Sequence, residues 1–143
     1  MLDRISNIDQ LSQVIAHATA PAFLLGAVAG YLSILVARLQ RVADRARALG
    51  ATSRAVSPSS EAQEGAMTLA ARAHLLNRAI YLSALSALST AALLILAFAF
   101  AVFGLEHRLG VALMFVLALS LLMGSLVMLT MEVRLAMRAM HLD

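Results

Sequence analysis

Three stretches of this chain carry no charged side chain: residues 18–37, 79–105 and 109–131, which are 20, 27 and 23 residues long. A helix rises 1.5 Å per residue, so about 20 residues cover the roughly 30 Å hydrocarbon core of a bilayer. Each stretch can therefore cross a membrane once. A soluble helical bundle would need a polar face on each helix. Ala91–Phe103 reads AALLILAFAFAVF, and Val111–Leu119 is equally apolar, so neither has such a face. Only 13% of the residues are charged and 62% are hydrophobic, against about a quarter charged in a soluble domain. The expectation is an all-α integral membrane protein of three spans. The chain has no cysteine, which excludes a disulfide scaffold, a thiol enzyme and a cysteine-based metal centre. A cleaved signal peptide fits poorly, because Asp3 and Asp9 oppose Arg4 at the start and the apolar run begins late.

The arginines orient the spans. All eleven basic side chains are Arg, and seven of them (Arg38 to Arg78) lie between the first and second uncharged runs. Arg134 and Arg138 follow the third run, Arg4 precedes the first, and Arg108 lies in the turn between the second and third. An excess of Arg marks cytoplasmic segments. The expected topology in a bacterial inner membrane puts the N-terminus outside, the 38–78 segment in the cytoplasm, the 106–108 turn outside and the C-terminus in the cytoplasm.

Between these landmarks the pattern is helical. Leu2, Ile5, Ile8, Leu11 and Ile15 recur at three- to four-residue spacing among polar residues, which predicts an amphipathic interfacial helix over 2–16. The first span, 18–37, has Pro21 in its first turn, where proline is tolerated. An apolar seam of Leu35, Leu39, Val42, Ala46 and Leu49 continues past the boundary, so a cytoplasmic helix is expected over 38–49, stopping near Gly50. Asp44 lies three residues from both Arg41 and Arg47, within reach of helical ion pairs. Residues 50–60 read as the loop, with Ser60 and Gln63 as a capping box and Ser57–Pro58 as a competing cap. A second cytoplasmic helix, 61–78, carries a seam of Ala66, Leu69, Ala73, Leu76 and Ile80. It forms a helical hairpin with 38–49 and runs into the second span, 80–103. The third span covers 110–131 and leads into a cytoplasmic tail, 132–143, with a short helical extension.

The candidate site is at the inner boundary. Antiparallel packing brings Arg38, Asn77, Arg78, Glu132 and Arg134 to one membrane depth. Glu132 is the one acid at that depth, which predicts a pair with Arg38 or Arg78. Gly26 with Gly30, and Ser120 with Gly124, are small-xxx-small pairs of the kind that allow close helix approach. Ser83, Ser86, Ser89 and Thr90 either pack against a neighbour, bond to their own helix, or line a pore. Met114, Met123, Met128 and Met131 suit adaptable packing. No nucleotide loop, zinc-protease motif or serine-hydrolase elbow occurs. No catalytic residue, cofactor or metal is expected, since one Glu and one His in the outer turn do not make a metal site. Nucleic acid is not expected either, because the 38–78 segment has no Phe, Tyr or Trp on which bases could stack.

Three segments carry a family likeness: PAFLLGAVAGYLSILVARLQRVADRARAL, RAHLLNRAIYLSALSAL and MEVRLAMRAM. Over about residues 12–140 the chain resembles a family of small bacterial three-span membrane proteins known as domain of unknown function 2721. The most specific pieces are Pro21-Ala22-Phe23, the Arg38/Arg41/Asp44/Arg45/Arg47 run, Arg78-Ala79-Ile80 and Glu132-Val133-Arg134. The resemblance implies the three-span topology and no activity. Three functions remain in competition. The leading one is a non-enzymatic protein acting by homo-oligomerisation or as an accessory subunit of a partner membrane protein, surrounded by membrane lipids. The others are a small oligomeric pore, and a carrier of lipid or ligand at the inner boundary.

Overall fold

The computed structural model contains three helices: α1 (Leu2–Ala55), α2 (Ser60–Phe103) and α3 (Arg108–Met140). The structure describes the backbone of residues 2–55, 60–103 and 108–140; within these, the side chains of 2–11, 13, 14, 17, 52–55, 61, 62, 101, 108, 139 and 140 are left out. Each helix holds a segment long and apolar enough to cross a membrane: Ala18–Ala51, Gln63–Phe100 and Leu109–Arg138, with mean hydropathies of 2.0, 2.1 and 2.5. The chain is a small all-α membrane protein.

The packing follows a seven-residue rhythm. On α1 the buried positions are Pro21, Val28, Leu35 and Val42; on α3 they are Ala118, Ser125 and Glu132. α2 carries two such rows, Leu69–Leu76–Ser83–Thr90 and Ala79–Ser86–Leu93, all buried. A strict repeat of seven corresponds to 3.5 residues per turn, slightly tighter than the α-helix, and keeps one seam against a left-handed supercoiled neighbour. Having two rows, α2 packs along both partners, whereas α1 and α3 meet only narrowly. The middle helix is thus antiparallel to both, and α1 and α3 run parallel on either side of it. Large apolar residues such as Phe23, Tyr81, Leu88, Ile95 and Met123 are exposed. Lipid tails make that arrangement favourable for a spanning helix, and water would not.

Three expectations about element boundaries change. Residues 2–16 do not form a separate helix: α1 is continuous from Leu2 through the first span, although most side chains of that stretch lie outside the described residues. Pro21 is therefore well inside a helix and not in its first turn. An interior proline removes one backbone bond at a cost of about 3 kcal/mol, and here its ring is buried at the head of the α1 row. Gly50 does not stop the helix, which runs to Ala55. An interior glycine costs only about 1 kcal/mol, and the neighbouring turn is held by packing, with Leu49 against α2 opposite Gly65. α1 accordingly takes in residues 50–55 of the expected 50–60 loop, and α2 begins at Ser60, the residue of the expected capping box. Ser57, Pro58, Glu106 and His107 lie outside the described residues. The stretches of α1 and α2 beyond the uncharged runs pack together, with Val42 and Leu69 buried among Leu39, Leu49 and Ala73.

Candidate functional site

The interface between α2 and α3 is tied once per heptad by a polar contact. Ser86 Oγ donates to the Ala118 carbonyl at 2.7 Å. Seven residues along each helix, Ser125 Oγ donates to the Ala79 carbonyl at 2.6 Å. The Tyr31 hydroxyl of α1 lies 3.2 Å from the same Ser125 oxygen. Between membrane helices the hydrophobic effect supplies little drive, so packing and polar contacts of this kind set the geometry.

The next heptad brings in charge. Glu132 Oε2 accepts from Arg38 Nη1 at 2.9 Å. Glu132 Oε1 accepts from Arg72 Nε at 2.9 Å and lies 2.8 Å from Arg72 Nη2. One carboxylate thus joins all three helices, with both of its oxygens occupied by guanidinium donors. Its side chain is 1% exposed, against 22% for Arg72 and 37% for Arg38. Charge-assisted contacts of this type are about twice as strong as neutral ones, and they offset the desolvation of a buried carboxylate. From Leu109 to Glu132 the helix rises about 35 Å, so the cluster lies one bilayer core away from the start of the third span.

Of the five residues expected at this level, Arg38 and Glu132 meet as expected. Asn77, Arg78 and Arg134 do not join them; all three are exposed. The reason for Arg78 is angular. It follows Arg72 by six positions, roughly 240° around the helix axis at 3.6 residues per turn, and so points away from the seam. Arg72, the partner that took its place, precedes Ala79 and Ser86 by one and two heptads. Counting back from those small residues would have found it. Asp44 pairs with Arg47 at 2.6 Å and not with Arg41.

The other candidates divide cleanly. Ser83, Ser86 and Thr90 are buried inside the single chain, and Ser89 is half-buried. Thr90 Oγ1 donates to the Ser86 carbonyl at 2.8 Å. Ser83 Oγ is buried without a hydrogen-bond partner among the described residues. Gly26 and Gly30 are exposed, and a Cβ built at either would meet nothing within 4 Å. At Gly124 a Cβ would stand 3.4 Å from Leu82 Cδ1, so this glycine does sit at a close approach of α3 to α2. Its companion Ser120 is exposed and donates to the Val116 carbonyl of its own helix at 2.8 Å. Among the described residues no group of three His, Asp or Glu could hold a metal ion.

Beyond Glu132 a cavity of about 340 Å³ opens at the arginine-rich end of the bundle, bounded by Arg38, Arg41, Arg45, Arg72 and Glu132.

A family model described as a protein of unknown function (DUF2721) matches residues 18–142 of the chain. No curated protein matches it, and no solved structure does.

Proposed function

The chain belongs to the DUF2721 family, and we propose that it is a non-enzymatic protein of the bacterial inner membrane that works by assembly through α1, with a second copy or as the accessory subunit of another membrane protein. The observation that carries this reading is the outward placement of Gly26 and Gly30, with nothing within 4 Å of either. In-chain packing does not use this small-residue face, which is the surface a second helix needs for close approach. The interior supports the same reading. Ser86, Ser125 and Glu132 are engaged in contacts between the chain's own helices, so the membrane face offers other molecules mainly shape and apolar surface. A pore axis lined by Ser83, Ser86, Ser89 and Thr90 has less support, because three of these four are buried within one chain. The orientation is the one the arginines dictate: inner arms of α1 and α2 in the cytoplasm, C-terminus beside them, N-terminus outside.

The chain has no native cysteine, so single cysteines report cleanly. Ala27→Cys and Ser33→Cys, on the glycine face, should form disulfide-linked products when membranes are oxidised. Met123→Cys on α3 should not, and Gly30→Leu added to Ala27→Cys should abolish the product. Absence of any linked product, together with a monomer in lipid nanodiscs, would overturn the proposal. For orientation, a membrane-impermeant maleimide should label Gly104→Cys in intact cells and spare Ala51→Cys; the reverse pattern would overturn the sidedness.

A further inference from the structure

Four guanidinium groups and one carboxylate bound the inner cavity, and the carboxylate is fully engaged. Glu132 holds Arg38 and Arg72 at the base, where both keep donors that do not face it. Arg41 and Arg45 form the exposed rim, and neither makes an ion pair among the described residues. Arg38, Arg41 and Arg45 recur at three- and four-residue spacing, which places them on one face of α1. Asp44, the acid closest in sequence, lies off that face and is occupied by Arg47. The lining therefore carries three positive charges in excess: four guanidinium groups less one carboxylate.

We infer that this cavity binds a phosphate-bearing anion, with the headgroup phosphate of an anionic membrane lipid as the favoured source. The chemistry comes first. Planar guanidinium groups match phosphate oxygens in bidentate geometry, and several converging on one point answer a group of one to two negative charges. Glu132 acts as a positioning residue: it fixes the two base arginines and leaves their remaining donors free to turn toward the cavity. The volume is on the order of ten water molecules, enough for a phosphodiester with the carbon atoms next to it. Location favours the lipid. The cavity lies at the inner end of the third uncharged run, at headgroup depth, and Val42 and Leu69 give it an apolar side between the arginines. A soluble phosphate would use the charge but not that side. The site is complete within one chain, so the inference stands whether or not α1 assembles.

The test compares two variants that each remove two charges. Arg41→Gln/Arg45→Gln strips the rim and leaves the Glu132 cluster intact; Arg78→Gln/Arg138→Gln removes two exposed arginines outside the cavity. Each is purified from membranes of mixed phosphatidylglycerol and phosphatidylcholine, and retained lipid is counted by native mass spectrometry. A parallel titration with inorganic phosphate is made in neutral detergent, with helicity checked by circular dichroism. The wild type and the Arg78/Arg138 variant should keep phosphatidylglycerol in preference to phosphatidylcholine. The rim variant should lose at least about tenfold in that preference at unchanged helicity. Saturable phosphate binding that only the rim variant loses, without lipid retention, would assign the site to a soluble phosphate and overturn the lipid source. Equal lipid retention in all three proteins, or no binding of either probe, would overturn the site itself.

Discussion

Removing the Glu132 carboxylate should be among the most damaging single changes in this chain. In Glu132→Ala the two arginines keep their charge and lose their common partner. Breaking a buried pair from one side costs about 3–5 kcal/mol, whereas an exposed pair is worth about 0–1 kcal/mol. Arg72, at 22% exposure, belongs near the first figure; Arg38, at 37%, belongs near the second. The expected loss is therefore about 3 kcal/mol, most of it on the Arg72 side. Glu132→Gln should lose about 2 kcal/mol, because the amide keeps one acceptor oxygen but aims a donor group at a guanidinium. The assay is reversible unfolding by sodium dodecyl sulfate in mixed micelles, followed by circular dichroism. Double-mutant cycles with Arg72→Ala and Arg38→Ala then apportion the loss. Coupling to Arg72 should be about 2 kcal/mol and coupling to Arg38 about 1 kcal/mol or less, with added salt weakening the Arg38 coupling more. An Arg38 coupling equal to or larger than that of Arg72, or a Glu132→Ala loss below about 1 kcal/mol, would refute the reasoning from burial.

Other positions test the packing around this cluster in the same unfolding assay. Ser83→Ala removes a buried hydroxyl that has no partner and should be neutral or stabilising by up to about 1 kcal/mol; a clear loss would mean that the oxygen is hydrogen-bonded. Gly124→Leu, forced against Leu82 Cδ1, should cost about 1–3 kcal/mol, whereas Gly26→Leu should leave the unfolding of the isolated chain unchanged or slightly improved. Leu76→Ala opens a hole at a fully buried position and should cost about 2 kcal/mol, near the low end for such changes, since lipid surroundings remove part of the transfer contribution. If Leu76→Ala and exposed Leu88→Ala cost the same, the assigned seam is wrong.

The sequence made the number of spans readable because charge is excluded from a bilayer interior so strongly that gaps in the charge pattern are spans. The faces were harder to read. Leu35, Val42, Leu69 and Leu76 were correctly placed on the inner seams, but Ala46 and Ala66, assigned to the same seams, are exposed. In a helix of small and apolar residues, alanine fits lipid and neighbour alike, so hydrophobicity does not mark the inner side. The polar residues do. Ser83, Ser86, Thr90, Ser125 and Glu132 are all buried and fall on heptad rows. Inside a membrane the usual rule is reversed, and a periodic polar series traces the seam better than an apolar one. Arg72 escaped attention because it lies outside the uncharged run and therefore looks like part of a solvated arm. The length of α1 was also unreadable, since Pro21 and Gly50 each carry a local tendency to break a helix, which the buried row Pro21–Val28–Leu35–Val42 and the packing of Leu49 override.

The heptad rows raise a problem that the Glu132 cluster solves. A seam of small and aliphatic residues repeated every seven positions looks similar after a slide of one repeat, and lipid surroundings add little penalty for the slip. Moving α3 by one heptad along α2 in one direction would exchange partners between Ser125 and Ser86, which any carbonyl on the seam could satisfy. It would also place Glu132 opposite Ala79 and Tyr31, inside the span and away from both arginines, where an unpaired carboxylate costs several kcal/mol. Sliding the other way would carry it toward Gly65 and beyond Arg72. That slide leaves Arg45 of α1 within reach but no arginine of α2, so only the observed register gives the carboxylate a guanidinium from each neighbouring helix. A single charged layer thus fixes the register of three helices, as a lone polar position does in a coiled coil. It has to sit at the end of the uncharged runs, a depth where arginines can reach both the seam and the headgroups. That same requirement places the base of an arginine-lined cavity at the height of lipid phosphates, so the device that sets the register also builds the site proposed to bind them.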